Sequence, residues 1–350
     1  MRAAVLSRPG VLDVVDVAPP TPGSGEVLVR VAVCGVCGTD ASELYHGPIQ
    51  TVLPVILGHE FVGTVEAVGT DVDLPIGATV VCGAGVSCGT CKPCRLGRTN
   101  LCRNYRTAGL QLDGGLAEFV VVPETVLLDV TDSGLTVDTL ALAQPLAIAV
   151  HAVRRSGLTA GQDAVLIGAG GIGAFLTVAA AATGARVLVV DLDPSRLELA
   201  TRLGADHVML AGAESLAERL DTLGMDVDVF FEVSGSRAGL ATVLEAARPG
   251  ATIVPVGIQH GPVELELGAF TVREYTVIGT NAHVFATDMR EAVRLLGSRA
   301  DWSDIAPDVL PLDGVVEQAL LPLSEGRSTR IKTLIDPRAQ VDRPAVHGVR

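Results

Sequence analysis

The chain contains few basic residues for its length. Its 350 residues include 26 lysines and arginines against 40 aspartates and glutamates, which gives a formal net charge of -14 at pH 7. Proteins that bind nucleic acid or anionic membranes need a basic face, because cationic side chains displace the counterions of phosphate groups. The shortage of basic residues therefore argues against both partners and favours a small-molecule ligand.

No apolar run is long enough to cross a bilayer. The most apolar stretch, residues 174–190, contains Gly184 and Arg186 and is shorter than the roughly 20 residues that a spanning helix needs. Residues 1–8 also lack the apolar core of a signal peptide. We therefore expect no membrane segment, and we expect a first β-strand at the start of the chain.

Cysteine is absent after residue 102, although seven cysteines occur up to that point, at positions 34, 37, 82, 88, 91, 94 and 102. A disulfide scaffold would usually be a shorter, secreted chain. We therefore expect reduced thiols and a cytoplasmic protein. Cys34 and Cys82 have no partner at a suitable spacing and are expected to be small buried residues.

Two patterns of secondary structure divide the chain. Up to about residue 140, short β-branched runs are separated by Gly and Pro, which predicts an antiparallel, barrel-like β domain. From about residue 164, strand-like runs alternate with segments of helical spacing, which predicts a doubly wound parallel sheet. The predicted strands are residues 26–33, 63–68, 78–81 and 119–122 in the first part, and 164–167, 186–190, 227–232, 252–256 and 276–278 in the second. After residue 280 the sequence predicts one helix at 287–296 and a strand-like run at 331–335. A chain of this length can form two such domains.

A glycine-rich turn follows the first strand of the second pattern. It comprises Gly168, Ala169, Gly170, Gly171, Ile172 and Gly173, and an alanine-rich helical segment comes next. Gly168 permits a tight turn, Gly170 lets the backbone approach a pyrophosphate, and Gly173 allows the helix to pack closely on the strand. This context predicts a dinucleotide-binding site.

The residue at the end of the following strand predicts which dinucleotide is bound. Asp191 would accept hydrogen bonds from the adenosine ribose hydroxyls and would repel a 2′-phosphate, so we expect NAD rather than NADP. Arg196 follows five residues later. It could contact the ribose, tolerate a phosphate, or be a solvated helix charge.

Four of the cysteines have the spacing of a metal site. Cys88, Cys91, Cys94 and Cys102 can surround one ion with four thiolates, which predicts a tetrahedral structural zinc site. Such a site leaves no position for a substrate. Its expected role is to stabilise the fold of its lobe, with no part in turnover.

A second group of metal-binding residue types lies upstream. Cys37 and His59 are good zinc ligands, whereas Glu60 and Gln144 are oxygen donors that water or a substrate could displace. A zinc ion with a displaceable ligand is typical of a catalytic site. Asp40 can orient a zinc-bound histidine ring by accepting its other N–H, and the hydroxyl of Thr39 can receive the substrate's proton.

Together these residues resemble the zinc-dependent medium-chain alcohol dehydrogenase family, within it the polyol branch of sorbitol, threonine and butanediol dehydrogenases. The resemblance covers nearly the whole chain. It rests on Pro22–Val29, Cys37-Gly-Thr-Asp40, Gly58-His-Glu60-Phe-Val-Gly63, the four-cysteine lobe, Gly114–Phe119, the glycine turn and Ile331-Lys332. It implies a GroES-like, β-rich catalytic domain at residues 1–150, a Rossmann NAD-binding domain at 151–282, and a return to the catalytic domain at 283–350. It also implies two zinc ions per subunit and a homodimer or homotetramer.

This chain departs from the family pattern at two positions. Gln144-Pro145 stands where the polyol branch usually has Glu-Pro, so the site has one negative charge fewer. A neutral ligand would make the zinc a stronger Lewis acid; alternatively Gln144 binds a substrate hydroxyl, and Glu60 or water takes its place at the metal. Ser42 stands where many relatives have a proton-relay histidine, so the proton could leave through Ser42, His46 or water.

The sequence therefore predicts reversible oxidation of a secondary alcohol, diol or polyol to a ketone with NAD. A related enzyme acting on aldehydes, primary alcohols or a cyclitol would share every motif above. A non-catalytic NAD- and zinc-binding protein is disfavoured because Cys37, Thr39 and His59 are all present, and the same residues disfavour a zinc-independent quinone reductase. Tyr45, His46, Leu110, Phe270 and His283 could line the substrate pocket.

Overall fold

A computed structural model of the protein describes residues 1–259 and 261–349. The chain forms two compact units, one of Met1–Gln144 together with the chain from Val284 onward, and one of Pro145–His283. The sequence predicts divisions after residues 150 and 282, whereas the two units divide after Gln144 and His283. No helix in the described ranges is long and apolar enough to cross a membrane.

The first unit contains most of the strands. Its strands before the second unit are β1 Arg2–Arg8, β2 Val11–Asp16, β3 Glu26–Val36, β4 Val55–Ile56, β5 Glu60–Val68, β6 Thr79–Cys82, β7 Gly85–Val86, β8 Arg106–Thr107, β9 Phe119–Pro123 and β10 Leu127–Asp129. Its helices there are α1 Gly38–His46, α2 Lys92–Arg95 and α3 Val137–Leu140, and α4 Ala143–Ser156 leads into the second unit.

The second unit alternates strands and helices. Its strands are β11 Asp163–Ile167, β12 Arg186–Asp191, β13 His207–Leu210, β14 Val229–Glu232, β15 Thr252–Pro255 and β16 Thr276–Val277. Its remaining helices are α5 Gly171–Ala181, α6 Pro194–Arg202, α7 Leu216–Leu223, α8 Arg237–Ala246 and α9 Leu267–Arg273. The chain then returns to the first unit as α10 Arg290–Leu296, β17 Asp308–Pro311, α11 Leu321–Ser324, β18 Thr333–Asp336 and β19 Arg343–Pro344.

The first unit is built around the long strand β3. It pairs antiparallel with β5 along most of its length, with β9 beside its first half and with β18 beside its end. Val27, Val29 and Val31 alternate with less buried neighbours and lie in the core, as the period of two in a strand requires. The antiparallel, barrel-like prediction for this part of the chain is confirmed.

The second unit is a parallel sheet in the order β13-β12-β11-β14-β15-β16. This is the strand order of a doubly wound dinucleotide-binding fold, whose ligand site lies where the order reverses, between the first and fourth strands. Every residue of β11 and β14 is buried, because helices cover both faces of such a sheet. The doubly wound prediction is therefore confirmed.

Some elements differ from the sequence prediction. Strand β13 was not predicted, because His207–Leu210 is only four residues long and only Met209 within it is buried. The helix predicted at residues 287–296 is a wider π-helical turn, Phe285–Met289, that continues into α10. The run 331–335 forms its strand only from Thr333, and Lys332 precedes it.

The residues from Arg343 to Gly348 are fastened to α3, mainly through the carboxylate of Asp138. Asp138, which is buried, accepts hydrogen bonds from both terminal nitrogens of Arg343 at 2.7 and 2.8 Å and from the backbone N–H of Val346 at 2.7 Å. The backbone N–H of Gly348 donates to Oγ1 of Thr139 on the same helix. These bonds hold the C-terminal segment beside the helix that leads to Gln144.

Replacing Arg343 should destabilise the first unit. Arg343→Ala leaves the buried carboxylate of Asp138 without its cation, and we expect the free energy of unfolding to fall by about 2–3 kcal/mol in denaturant titrations. Arg294→Ala is the matched control, because its pair with Glu291 is exposed and such pairs contribute less than about 1 kcal/mol. If both changes lowered the free energy of unfolding equally, the pair of Arg343 with Asp138 would not be the stabilising contact that we infer.

Candidate functional site

The end of β3 and the start of β5 bring two metal-binding residue types together. Cys37 directly follows β3 and precedes α1, while His59 directly precedes β5. Gly35 pairs with Glu60 in the β3–β5 ladder. This pairing brings Cys37 and His59 side by side, although they are 22 positions apart in the chain. Ligand atoms of Cys37, His59 and Glu60 lie within 4.8 Å of one another.

Asp40 organises this group from the first turn of α1. Its Oδ2 accepts the backbone N–H of Cys37 at 2.9 Å. Its Oδ1 lies 3.3 Å from Nδ1 of His59, and neither of these two buried atoms has another hydrogen-bond partner among residues 1–259 and 261–349. With Nδ1 directed at a carboxylate, Nε2 of His59 is the ring atom left to bind a metal. Sγ of Cys37 lies 3.7 Å from Oγ1 of Thr39.

The charges around His59 are those of a cation site. Burial by itself would lower the pKa of His59, but the negative charges of Asp40 and Cys37 outweigh burial and raise the pKa well above its usual value. A histidine, a thiol and two carboxylates in a buried space form the donor set of a zinc site. The residues therefore fit a zinc ion held by Cys37 and His59.

Glu60 makes a buried ion pair at the edge of this group. Its two carboxylate oxygens accept hydrogen bonds from Nζ of Lys332 at 2.6 and 2.8 Å, and Nζ also donates to the carbonyl of Val36 at 3.1 Å. Burial would lower the pKa of Lys332, but the charge of Glu60 raises it. Gly35 leaves room for the pair, because a Cβ there would lie 2.5 Å from Oε2 of Glu60.

The other predicted residues of this site lie on two helices. Thr39 and Ser42 are partly buried on α1, and His46 at the end of that helix is exposed. Gln144 is partly buried in the first turn of α4. Among the residues suggested for a substrate pocket, Leu110 and His283 are buried, Tyr45 is exposed, and Phe270 packs edge-on against Tyr275.

The four cysteines of the predicted structural zinc site converge. Ligand atoms of Cys88, Cys91, Cys94 and Cys102 lie within 4.8 Å of one another, and all seven cysteines of the chain are free of disulfides. Sγ of Cys91 is 3.4 Å from Sγ of Cys94 and 3.9 Å from Sγ of Cys102. Zn–S bonds of about 2.3 Å in a tetrahedron place sulfurs about 3.8 Å apart, so the four thiols fit a zinc ion.

Hydrogen-bond donors and burial shift the pKa values of the thiols in this group in opposite directions. N–H groups and the hydroxyl of Thr90 lower the pKa of Cys88 to about 6. Burial raises the pKa of Cys94 to about 11. A bound zinc ion would replace the proton on all four sulfurs.

The glycine turn lies at the reversal point of the parallel sheet. Gly168 has φ +106°, in the left-handed region that favours glycine. A Cβ on Gly173 would lie 2.1 Å from the carbonyl oxygen of Gly168, so the close approach of α5 to β11 requires glycine. Gly170 precedes α5, which begins at Gly171 and continues through Ile172. Backbone N–H groups at the start of α5 suit a pyrophosphate.

A cavity of about 680 Å³ opens beside this turn, within the second unit. Its walls include Gly168, Gly170, Asp191 and Arg196, all predicted from the sequence. Oδ2 of Asp191 accepts the backbone N–H of Ala169 at 2.6 Å, so the carboxylate is fixed directly beside the turn. The volume and position of the cavity suit the adenosine half of a dinucleotide.

The sequence did not reveal the roles of two residues at these sites. Lys332 has a signal, a single charge at the start of an apolar run, but only the pairing of β18 with β3 reveals that it meets Glu60. Glu232, buried at the end of β14, accepts hydrogen bonds from the backbone N–H groups of Ser234 and Gly235 and orders the loop that lines the cavity. No spacing in the sequence signals that role.

Comparison with known proteins gives a consistent result. Residues 23–132 match the family model for the alcohol dehydrogenase GroES-like domain, and residues 171–298 match that for the zinc-binding dehydrogenase. The chain is 34% identical over 326 residues to the L-threonine 3-dehydrogenase of Saccharopolyspora erythraea, covering 91% of this chain and 94% of the relative. It is 33% identical over 266 residues to the sorbitol dehydrogenase of Bacillus subtilis, covering 74% and 75%.

A solved structure resembles nearly the whole chain. The crystal structure described as a zinc-binding dehydrogenase from Sinorhizobium meliloti, bound to NADP, superposes with a TM-score of 0.88 at 32% identity, covering 96% of this chain and 99% of that one. This match confirms the fold predicted from the sequence, a GroES-like domain with a Rossmann domain. On these matches, the chain belongs to the zinc-dependent medium-chain alcohol dehydrogenase family, in its polyol dehydrogenase branch.

Proposed function

We propose that this protein is a zinc- and NAD-dependent oxidoreductase that interconverts a secondary alcohol, diol or polyol and its ketone by hydride transfer. One observation carries the proposal: the ligand atoms of Cys37, His59 and Glu60 lie together, and the hydroxyl of Thr39 lies 3.7 Å from the sulfur of Cys37. The sorbitol and threonine dehydrogenases that the chain resembles support this substrate class.

Each residue of the group has a distinct task in this reaction. A zinc ion held by Cys37 and His59 would lower the pKa of the substrate's hydroxyl group. Thr39 accepts the proton that the hydroxyl releases and passes it towards Ser42, His46 or solvent. Asp40 keeps the ring of His59 oriented through Nδ1. A bound NAD would supply the nicotinamide that accepts a hydride, which the substrate's carbon atom can release once the hydroxyl group has lost its proton.

Glu60 and Gln144 are the two candidates for a displaceable oxygen ligand. Glu60 is paired with Lys332 through both carboxylate oxygens, which favours a role beside the metal rather than as its ligand, so that a neutral donor would complete the site. Gln144 supplies such a donor from α4. Without the negative charge of a glutamate there, the zinc would draw more electron density from the substrate oxygen.

The second unit binds the cofactor in this proposal, and the first unit carries both zinc ions. Gly168, Gly170, Gly171, Ile172 and Gly173 hold the pyrophosphate at the start of α5, and Asp191 binds the adenosine ribose. Cys88, Cys91, Cys94 and Cys102 hold the structural zinc.

We also propose that the protein is a cytoplasmic homodimer or homotetramer. Seven free cysteines, four of them grouped for a metal, suit a reducing compartment. Strand β16 pairs only with β15 on the described part of the sheet, so its other edge is open to pairing. Apolar side chains are exposed nearby, Val277 on β16 and Leu267 and Val272 on α9, and a second subunit would bury them.

Removing the cysteine ligand should abolish catalysis without unfolding the protein. Cys37→Ser should lose one of two zinc ions per subunit by elemental analysis, and kcat/KM should fall more than about 100-fold, since even changes to residues behind a metal ligand cost 10–100-fold. NADH binding should stay within about twofold, because the cavity lies in the other unit. Cys82→Ser, a buried thiol outside both groups, is the matched control. Full activity of Cys37→Ser with a single zinc would contradict the assignment.

The four-cysteine site should affect stability rather than turnover. We expect Cys94→Ser to lose the other zinc ion and to lower Tm by about 5 °C. Trypsin should then cleave faster after the exposed Arg95 and Arg98, because the lobe loses its cross-link. An unchanged cleavage rate would contradict a structural metal in this lobe.

A substrate panel tests the reaction class directly. Initial rates of NAD reduction with the zinc-loaded enzyme should be higher for secondary alcohols, vicinal diols and polyols than for primary alcohols. Preference for primary alcohols or a cyclitol would retain the zinc and hydride chemistry but overturn the substrate class. No turnover by protein with two zinc ions and bound NADH would favour the non-catalytic alternative.

A further inference from the structure

The rim of the cofactor cavity carries an arginine between two aspartates. Nη1 of Arg196 lies 4.0 Å from Oδ1 of Asp191, and its Nε lies 3.8 Å from Oδ2 of Asp193. All three residues line the cavity, and Nη1 is 3.8 Å from where a Cβ of Gly170 would lie. The guanidinium group is therefore beside the predicted pyrophosphate turn and the residue that would bind the ribose.

These contacts are charge pairs, not hydrogen bonds. Both distances exceed the 3.2 Å of a normal N–H···O bond, so the donors of Arg196 remain able to reach another anion. A 2′-phosphate on the ribose is such an anion, because a guanidinium group binds phosphate through two parallel N–H donors. Arg196 alone would thus favour NADP.

Asp193 is held so that one oxygen faces Arg196. Its Oδ1 accepts the backbone N–H of Ser195 at 2.8 Å and the hydroxyl of Ser195 at 2.7 Å at the start of α6. Both bonds lower the pKa of Asp193 below its usual value, and the bond from the Ser195 hydroxyl has the larger effect. The carboxylate is therefore charged at neutral pH. Oδ2 is left to pair with the guanidinium group.

Asp191 has less freedom than Asp193. Its Oδ2 accepts the N–H of Ala169 at 2.6 Å and its Oδ1 accepts the N–H of Asp193 at 2.9 Å, and the residue is buried. Asp191 is therefore part of the turn itself, whereas Asp193 is half exposed. A change at Asp193 alters the charge at the rim without disturbing the turn.

We propose that Asp193 is a specificity-determining residue for the cofactor: it holds Arg196 in a charge pair and adds its own negative charge at the rim, so that a 2′-phosphate is excluded. The inference rests on the proposed function, since it concerns the dinucleotide that this cavity takes. Asp193 would thus be a second carboxylate, besides Asp191, that excludes a 2′-phosphate, and its effect on the choice of dinucleotide depends on Arg196.

The test is the binding of NADH and NADPH to the zinc-loaded protein by isothermal titration calorimetry, which needs no turnover. Asp193→Asn keeps an oxygen for the N–H of Ser195, so α6 should still begin normally. It removes one charge, releasing Arg196 to form charge-assisted bonds with the phosphate. We expect the ratio of the NADPH Kd to the NADH Kd to fall about tenfold.

Two further variants make the result specific. Asp301→Asn is the matched control, because Asp301 likewise accepts the N–H and the hydroxyl of the serine two residues on, through Oδ1 and Oδ2, and lies in the other unit. It changes the net charge equally and should leave the ratio unchanged. Asp193→Asn combined with Arg196→Gln should return the ratio to within about twofold of the unsubstituted protein, since the phosphate then lacks its cation.

The outcomes separate this inference from the proposed function. An unchanged ratio in Asp193→Asn, a shift of equal size in Asp301→Asn, or a shift that survives Arg196→Gln would overturn the role of Asp193 while leaving an NADH site in place. If the unsubstituted protein bound neither dinucleotide, the proposed function would be wrong and this inference with it.

Discussion

The antiparallel pairing of β3 with β5 is the constraint on which the candidate metal centre depends. It places Gly35 opposite Glu60, and so Cys37 and His59 follow and precede paired residues of adjacent strands. Side chains alternate between faces along a strand, so a slip of one residue would turn one of these ligands away from the other. The register is held by the apolar residues of β3, which form the core, rather than by the polar residues of the site.

The polar groups near the site are therefore placed by packing that they do not themselves provide. Asp40, Glu60 and Lys332 are all buried, and burying charges is unfavourable unless they are paired. Lys332 compensates Glu60, while Asp40 faces His59 and Cys37 brings a further potential negative charge. A divalent cation at Cys37 and His59 would balance the remainder, which is a physical reason for the metal independent of the family.

The sequence predicted the local features well and the long-range ones poorly. The cysteine spacing, the glycine turn and Asp191 act within short segments or one βα unit, so their chemistry could be inferred before the fold was known. The partner of Glu60 could not, because Lys332 is brought to it by strand pairing across 272 positions. Strand β13 was missed because it is short and only one of its four residues is buried. The pairing of Asp138 with Arg343 likewise joins segments that are distant in the sequence.

The position of β18 beside β3 has a consequence for how the protein is made. Cys34 and Gly35 gain their second strand neighbour, and Val36 its first, from Thr333–Ile335, which leaves the ribosome about 300 residues later. Domains generally fold as the chain emerges, so the parallel sheet between them can be complete while this edge of β3 is still unpaired. Open strand edges invite pairing with other chains. During synthesis, the nascent first unit is thus the part of the protein that most needs protection from aggregation.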